Sequence, residues 1–145
     1  MGAIREILRR KGSVVHTVPP TSTVLEAVQY MNQHRIGAVI IAEDSRIVGI
    51  FTERDVLQHV IEEERRPAEI GVAEVMTREV VCCTPDTPID EASRILRDRR
   101  IRHLPVCDPH GHLLGLVSIG DINAHHASDQ ATTIHYLHEY LYGSA

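Results

Sequence analysis

A hydroxyl and a carboxylate stand three residues apart in GIFTERD (49–55), as Thr52 and Asp55, and again in GLVSIGD (115–121), as Ser118 and Asp121. Two kinds of chemistry fit that spacing. A Ser or Thr followed three places on by an acid forms a capping box, in which the two side chains satisfy orphan amides at a helix start. The same carboxylate, projecting into a cleft, accepts both hydrogen bonds from the vicinal diol of a ribose. Each pair follows an apolar run, and the choice between capping and binding turns on the elements that carry it.

Those elements occur twice. Setting Pro20 against Pro85 brings Glu26 onto Glu91, Ala27 onto Ala92, Arg35 onto Arg100 and Ile36 onto Ile101, and one inserted residue then aligns Gly49 with Gly115 and Asp55 with Asp121. Similarity along the whole unit marks a duplicated domain half, which a capping box copied by chance does not explain. Within each half the periodicity changes in the same order. Short β-branched or apolar runs near 14–18 and 80–83 predict strands. Val24, Ala27, Val28 and Met31, matched by Ile89, Ala92 and Leu96, fall at helical spacing. Ser22, Thr23 and Glu26 mark one helix start, and Thr87 with Pro88 marks the other. Two strands follow in each half, AVIIA with IVGIFT around Glu43 to Arg46, and HLPVC with LLGLVS around DPHG. A closing helix begins near Glu53 or Ile119.

The chemistry is thus expected on an α+β scaffold of two pseudo-twofold β-α-β-β-α repeats packed face to face, with short N- and C-terminal helices. A half of this size buries too little apolar surface to stand alone, which favours pairing of the halves and a cleft between them. The predicted boundaries are 1–66 for the N-terminal helix and first repeat, 67–127 for the linker and second repeat, and 128–145 for a C-terminal helix ending at Gly143. The link from about Glu62 to Gly71 is charged and contains Pro67.

Composition narrows the partners. The 145 residues include no Trp, one Phe and four Tyr, so the core is aliphatic and stacking surfaces for nucleic acid are scarce. A formal net charge of -5 argues against broad polyanion binding, although Arg97, Arg99, Arg100 and Arg102 form a local basic run. No stretch approaches the ~20 apolar residues of a membrane span. Three cysteines without an export signal fit a reducing cytoplasm.

The duplicated order, the stretch RIRHLPVCDPHGHLLGLVSIGD, and the ending Gly, two apolar residues, Ser or Thr, two residues, Asp in both halves together resemble a tandem pair of CBS domains, a Bateman module, over residues 12–126. The resemblance implies a regulatory module that binds an adenosine-containing ligand between the halves: AMP, ADP, ATP, NAD or S-adenosylmethionine. It implies that Asp55 holds the ribose hydroxyls and Thr52 contacts ribose or phosphate, with Val14, Val15, His16, Ile36, Gly37 and Ala38 around the base. Arg102 and His103, from the opposite repeat, and Arg54 would meet phosphate, for which a guanidinium offers a matching fork of donors. A second site would use Val81, Ile101, His103, Ser118 and Asp121. There Gly120 replaces Arg54, and Gly37 and Ala38 stand where Arg102 and His103 supply charge, so phosphate is expected to bind better at the first site. A homodimer formed through helical faces and a separate protein partner also follow from the resemblance.

Other chemistries have less support. Cys82 and Cys83 are strand neighbours facing opposite sides, Cys107, His110 and His112 surround a turn without paired C-x-x-C units, and His135 with His138 is a lone helical pair. No metal site is expected. No Gly-rich phosphate loop, nucleophile elbow or HExxH helix is present, so no enzyme is expected either. The class-distinct alternative is a purely structural dimerisation module with degenerate clefts.

Overall fold

Helix α2 (Val24–His34) shows how local sequence sets the boundaries that position the site. The Thr23 hydroxyl accepts the Glu26 amide at 3.1 Å while the Glu26 carboxylate accepts the Thr23 amide at 3.0 Å, a complete capping box. Val24, Ala27 and Met31 are buried on one face, and the helix stops at Arg35 with φ of 55°. The second copy, α5 (Ile89–Arg99), starts after Pro88, buries Ile89, Ala92 and Leu96, and stops at Arg100 with the same φ of 55°. The aligned arginines therefore share one left-handed helix end. The computed structural model describes residues 2–12 and 14–142, with the side chains of 131–133, 135–136, 139–140 and 142 outside that description.

In the first half β1 (Thr17–Val18) runs parallel to β2 (Ala38–Glu43), which pairs antiparallel with β3 (Arg46–Thr52). In the second, β4 (His103–Cys107) pairs antiparallel with β5 (Leu113–Ser118). Register shifts fall at equivalent places, Ile41/Ala42 and Val106/Cys107. The expected strand at 80–83 is reduced to a bridge between Cys83 and Val106. Pro105 is the reason. Its equivalent, Ile40, donates its amide to His16, whereas proline has no amide to give and only its carbonyl meets Cys83, at 2.9 Å.

Helix α3 (Glu53–Val56) closes the first half and continues with π-helical pairing over Leu57–Ile61. The predicted separate C-terminal helix is corrected. α6 runs unbroken over Ile119–Tyr142, because nothing between Asp121 and Tyr142 is a Gly or Pro that would end it; Gly143 lies outside the described residues.

The cores cross the chain order. Helix α1 (Ile4–Lys11) precedes the first half in sequence, yet Ile4 and Ile7 are buried with Ile89, Leu96, Leu104, Val117 and Ile122 of the second. The linker after the 3-10 turn Pro67–Glu69, including α4 (Val72–Val75), does the converse. Ile70, Val72, Val75 and Met76 pack with Val24, Ile41 and Phe51 of the first. Two glycines mark the crossings. A Cβ on Gly49 would lie 2.5 Å from the Met76 sulfur, and one on Gly115 would lie 2.6 Å from Leu8 Cδ2, so each strand lacks a side chain where the exchanged segment crosses it.

Candidate ligand clefts between the halves

The β3–α3 and β5–α6 junctions hold the two hydroxyl–acid pairs. Thr52 donates its amide to Asp55 Oδ2 at 2.9 Å, and the Asp55 amide donates to Thr52 Oγ1 at 3.3 Å. Ser118 and Asp121 repeat the reciprocal bonds at 2.9 and 3.0 Å. The capping reading is therefore correct for both. It leaves acceptor capacity over, since a carboxylate has about four lone-pair sites. Asp55 is 6% exposed, and its Oδ1 takes one long contact, 3.4 Å, from the Thr77 hydroxyl at the start of the second repeat. Neither acid is turned out into bulk water: Asp121 is partly buried, and among the described residues every hydrogen bond it accepts falls on Oδ2.

At Asp121 the opposing group is a cation. Lys11, the last residue of α1, places Nζ 2.6 Å from Asp121 Oδ2 and 2.6 Å from the Leu116 carbonyl. Burial works to raise the Asp121 pKa, but the Lys11 bond and the Ser118 amide outweigh it and hold the carboxyl below its ordinary value. A partly exposed pair of this kind is worth at most about 1 kcal/mol, so a ligand can exchange it. A cavity of about 230 Å³ opens beside it, lined by Ile7, Arg10, Lys11, Asp121, Ala124 and His125. His125 is buried, and both its ring nitrogens lack hydrogen-bond geometry although Asp129 and Glu6 carboxylate oxygens lie 3.2 and 3.9 Å from Nε2.

The remaining candidates distribute as follows. β-pairing sets His103 beside Ser118 and Ala38 beside Thr52. The Ile119 amide donates to the Arg102 carbonyl as the Glu53 amide donates to that of Gly37, so Arg102 and Gly37 are structural equivalents. The His103 pKa is lowered, first by burial and then by Lys11, with Asp121 and Glu53 opposing. Arg54 and Arg102 are exposed. Ala38 is buried, Ile36 packs on the first core, and Val81 and Ile101 pack on the second. The space over Gly37 holds the Glu53 carboxyl, 3.3 Å from where a Cβ would stand. Val14 is 78% exposed and Val15 is partly buried. His16 joins Tyr30 and His34 in an aromatic cluster, with its Nδ1 3.1 Å from the Tyr30 hydroxyl.

Lys11, Thr77 and Glu53 are the groups that sequence reasoning passed over. Extending the repeat backwards from Pro20 and Pro85 sets Lys11 against Met76 and Gly12 against Thr77, so the alignment does not pair Lys11 with Thr77 and gives no signal for their shared place. The second acid thus has positive charge, from Lys11 and Arg10, that reading β-strand positions alone does not supply. Among the described residues no group of three or more His, Cys, Asp or Glu is placed to hold a metal, and no helix is long and apolar enough to cross a membrane. Cys83 and Cys107 are buried, and burial first of all pushes both thiols up to about 12; Cys82 is exposed.

The duplicated junctions and the two crossed cores define one tandem module rather than two independent domains. The chain belongs to the CBS domain family, whose model matches residues 4–62 and 72–126. It is 32% identical to the CBS domain-containing protein YhcV of Bacillus subtilis, over 81% of this chain and 82% of that one. A CBS-domain protein from Burkholderia ambifaria has a solved structure that is 35% identical and superposes with a TM-score of 0.83, covering 88% of this chain and 96% of that one. A CBS domain protein from Pyrobaculum aerophilum, complexed with AMP, shares the fold at 22% identity and a TM-score of 0.75, covering 82% and 88%. Some curated relatives are longer; the chain spans 60% and 61% of two that are 35% identical to it.

Proposed function

We propose that the protein is a regulatory sensor of adenosine-containing ligands, with a ribose held at Asp55 and another at Asp121. The observation that carries this is the pair of acids fixed by reciprocal capping bonds, each keeping acceptor capacity beyond them. The preorganised carboxylate of Asp55 needs no rearrangement to take a diol, and at Asp121 only Lys11 has to move. Arg102, His103 and Arg54 supply donors for phosphate near the first acid, and His103, paired beside Ser118, lies near the second as well. His103, whose pKa burial lowers, offers a ring N–H there as a hydrogen-bond donor. Val15, Ile36, Gly37 and Ala38, with Val14 and His16 at the rim, form the surround for a base at the first acid, and Val81 and Ile101 do so at the second. The AMP complex of a protein with this fold supports the ligand class.

Ligand binding acts through its differential affinity for two arrangements of the halves, and the effect passes to a partner protein. The test is a thermal-shift and calorimetric series with AMP, ADP, ATP, NAD and S-adenosylmethionine on ligand-stripped protein. A true ligand stabilises the fold by about 2.7 kcal/mol at one hundred times its dissociation constant. Asp55→Asn and Asp121→Asn should each abolish one site while keeping the fold, because the asparagine side-chain oxygen still accepts the Thr52 or Ser118 amide. No stabilisation by any of the five sinks the proposal in favour of a structural dimerisation module.

A further inference from the structure

Equivalent groups in the two halves are served by unlike donors. In the first half, Thr77 gives its amide to the Ile50 carbonyl at 2.9 Å and its hydroxyl to Asp55 at 3.4 Å. In the second, the equivalent carbonyl, that of Leu116, and the equivalent acid, Asp121, are both served by the Lys11 ammonium, at 2.6 Å each. A short neutral residue tied into the β-ladder fills one seat. A flexible cation at the end of a helix fills the other.

We propose that Lys11 makes the second cleft selective for phosphorylated or otherwise anionic nucleosides, by occupying Asp121 until a ligand arrives that satisfies both the carboxylate and the ammonium. The inference rests on the reading of the clefts as adenosine sites. A diol that takes both oxygens of Asp121 displaces Lys11 from Oδ2 and so from its counter-ion. An uncharged nucleoside then leaves that ammonium, and the Arg10 guanidinium beside it in the same cavity, without a matching anion. A phosphate supplies the anion for both. His125 faces Glu6 and Asp129, so of the residues lining the cavity Arg10 and Lys11 are the cations left to meet an anion once Asp121 is taken by a diol. At the first acid no such penalty exists, since the Thr77 hydroxyl turns aside and strands no charge.

Calorimetry with AMP and adenosine in the Asp55→Asn background isolates the second cleft. AMP is expected to bind on the order of tenfold more tightly than adenosine, the worth of one charge-assisted contact. In Lys11→Met the ratio should fall to near one from both sides, with adenosine gaining affinity at a vacated Asp121 and AMP losing it. Lys11→Arg should keep the preference, which also guards against a variant that merely disturbs α1. An unchanged AMP-to-adenosine ratio in Lys11→Met, or weaker adenosine binding there, overturns the proposal. If Asp55→Asn binds neither probe while the unsubstituted protein binds AMP, the selectivity proposal falls and the sensor reading stands. If the unsubstituted protein binds neither, the sensor reading itself is wrong and Lys11 selectivity falls with it.

Discussion

Asp55 and Asp121 show how one residue type carries a local and a long-range duty together: two hydrogen bonds anchor each to its own helix start, and the carboxylate also meets a residue distant in sequence, Thr77 for Asp55 and Lys11 for Asp121. His103 and His16 carry the pH dependence at this scale. Burial, before any neighbouring charge, lowers the pKa of both. In the range just below the ordinary histidine value of about 6.5, the unfolded chain therefore binds more protons than the folded one, so stability rises with pH there. That contribution is complete above about 6.5 and is lost as the pH falls towards the lowered folded values. The melting temperature of the ligand-free protein should drop between pH 7.5 and 5.5, and His103→Gln should flatten the drop. A slope unaltered by His103→Gln would show that the ring titrates as it does in water.

At the scale of elements, the glycines in β3 and β5 test the crossed packing. Gly49→Ala sets a methyl 2.5 Å from the Met76 sulfur and 3.0 Å from the Thr77 carbonyl, which is backbone and cannot swing away. Gly115→Ala meets only the tip of Leu8. Overpacking costs typically about 1–3 kcal/mol, so chemical denaturation should place Gly49→Ala at the upper end and Gly115→Ala at the lower. Leu8→Ala should then restore Gly115→Ala, and equal losses without rescue would contradict the packing. These elements were unevenly legible in the sequence. Helices α2 and α5, the hairpins and both hydroxyl–acid pairs could be read, because periodicity and capping are encoded within a few neighbouring residues. The partner of Lys11 could not, because residue 121 lies far along the chain and only the fold brings α1 to β5. The missing strand at 80–83 turned on Pro105, whose lost amide matters only once it is known which strand lies alongside. The unbroken α6 was obscured by polar residues between Asp121 and Ala131 that resemble a linker in composition while containing nothing that stops a helix.

For the whole molecule, apolar surface points to assembly. Leu57 and Ile61, one helical turn apart, are each 62% exposed, and Ile119 at the start of α6 is 39% exposed. We propose that these helical faces pair two copies into a dimer. Analytical ultracentrifugation should find a dimer that Leu57→Glu with Ile61→Glu converts to a monomer without loss of helical signal; a monomer at micromolar concentration before substitution would refute it. The exchange of leading segments reaches further. Neither half owns all of its interior, since Ile4 and Ile7 complete one and Ile70 and Val72 complete the other. An ancestor with a single copy of the repeat would have had to borrow its missing helix from an identical neighbour, so fusion of the genes would have preserved a swap already made between separate polypeptides. Cutting the present chain near residue 65 should accordingly yield fragments that remain unfolded apart and regain structure when mixed.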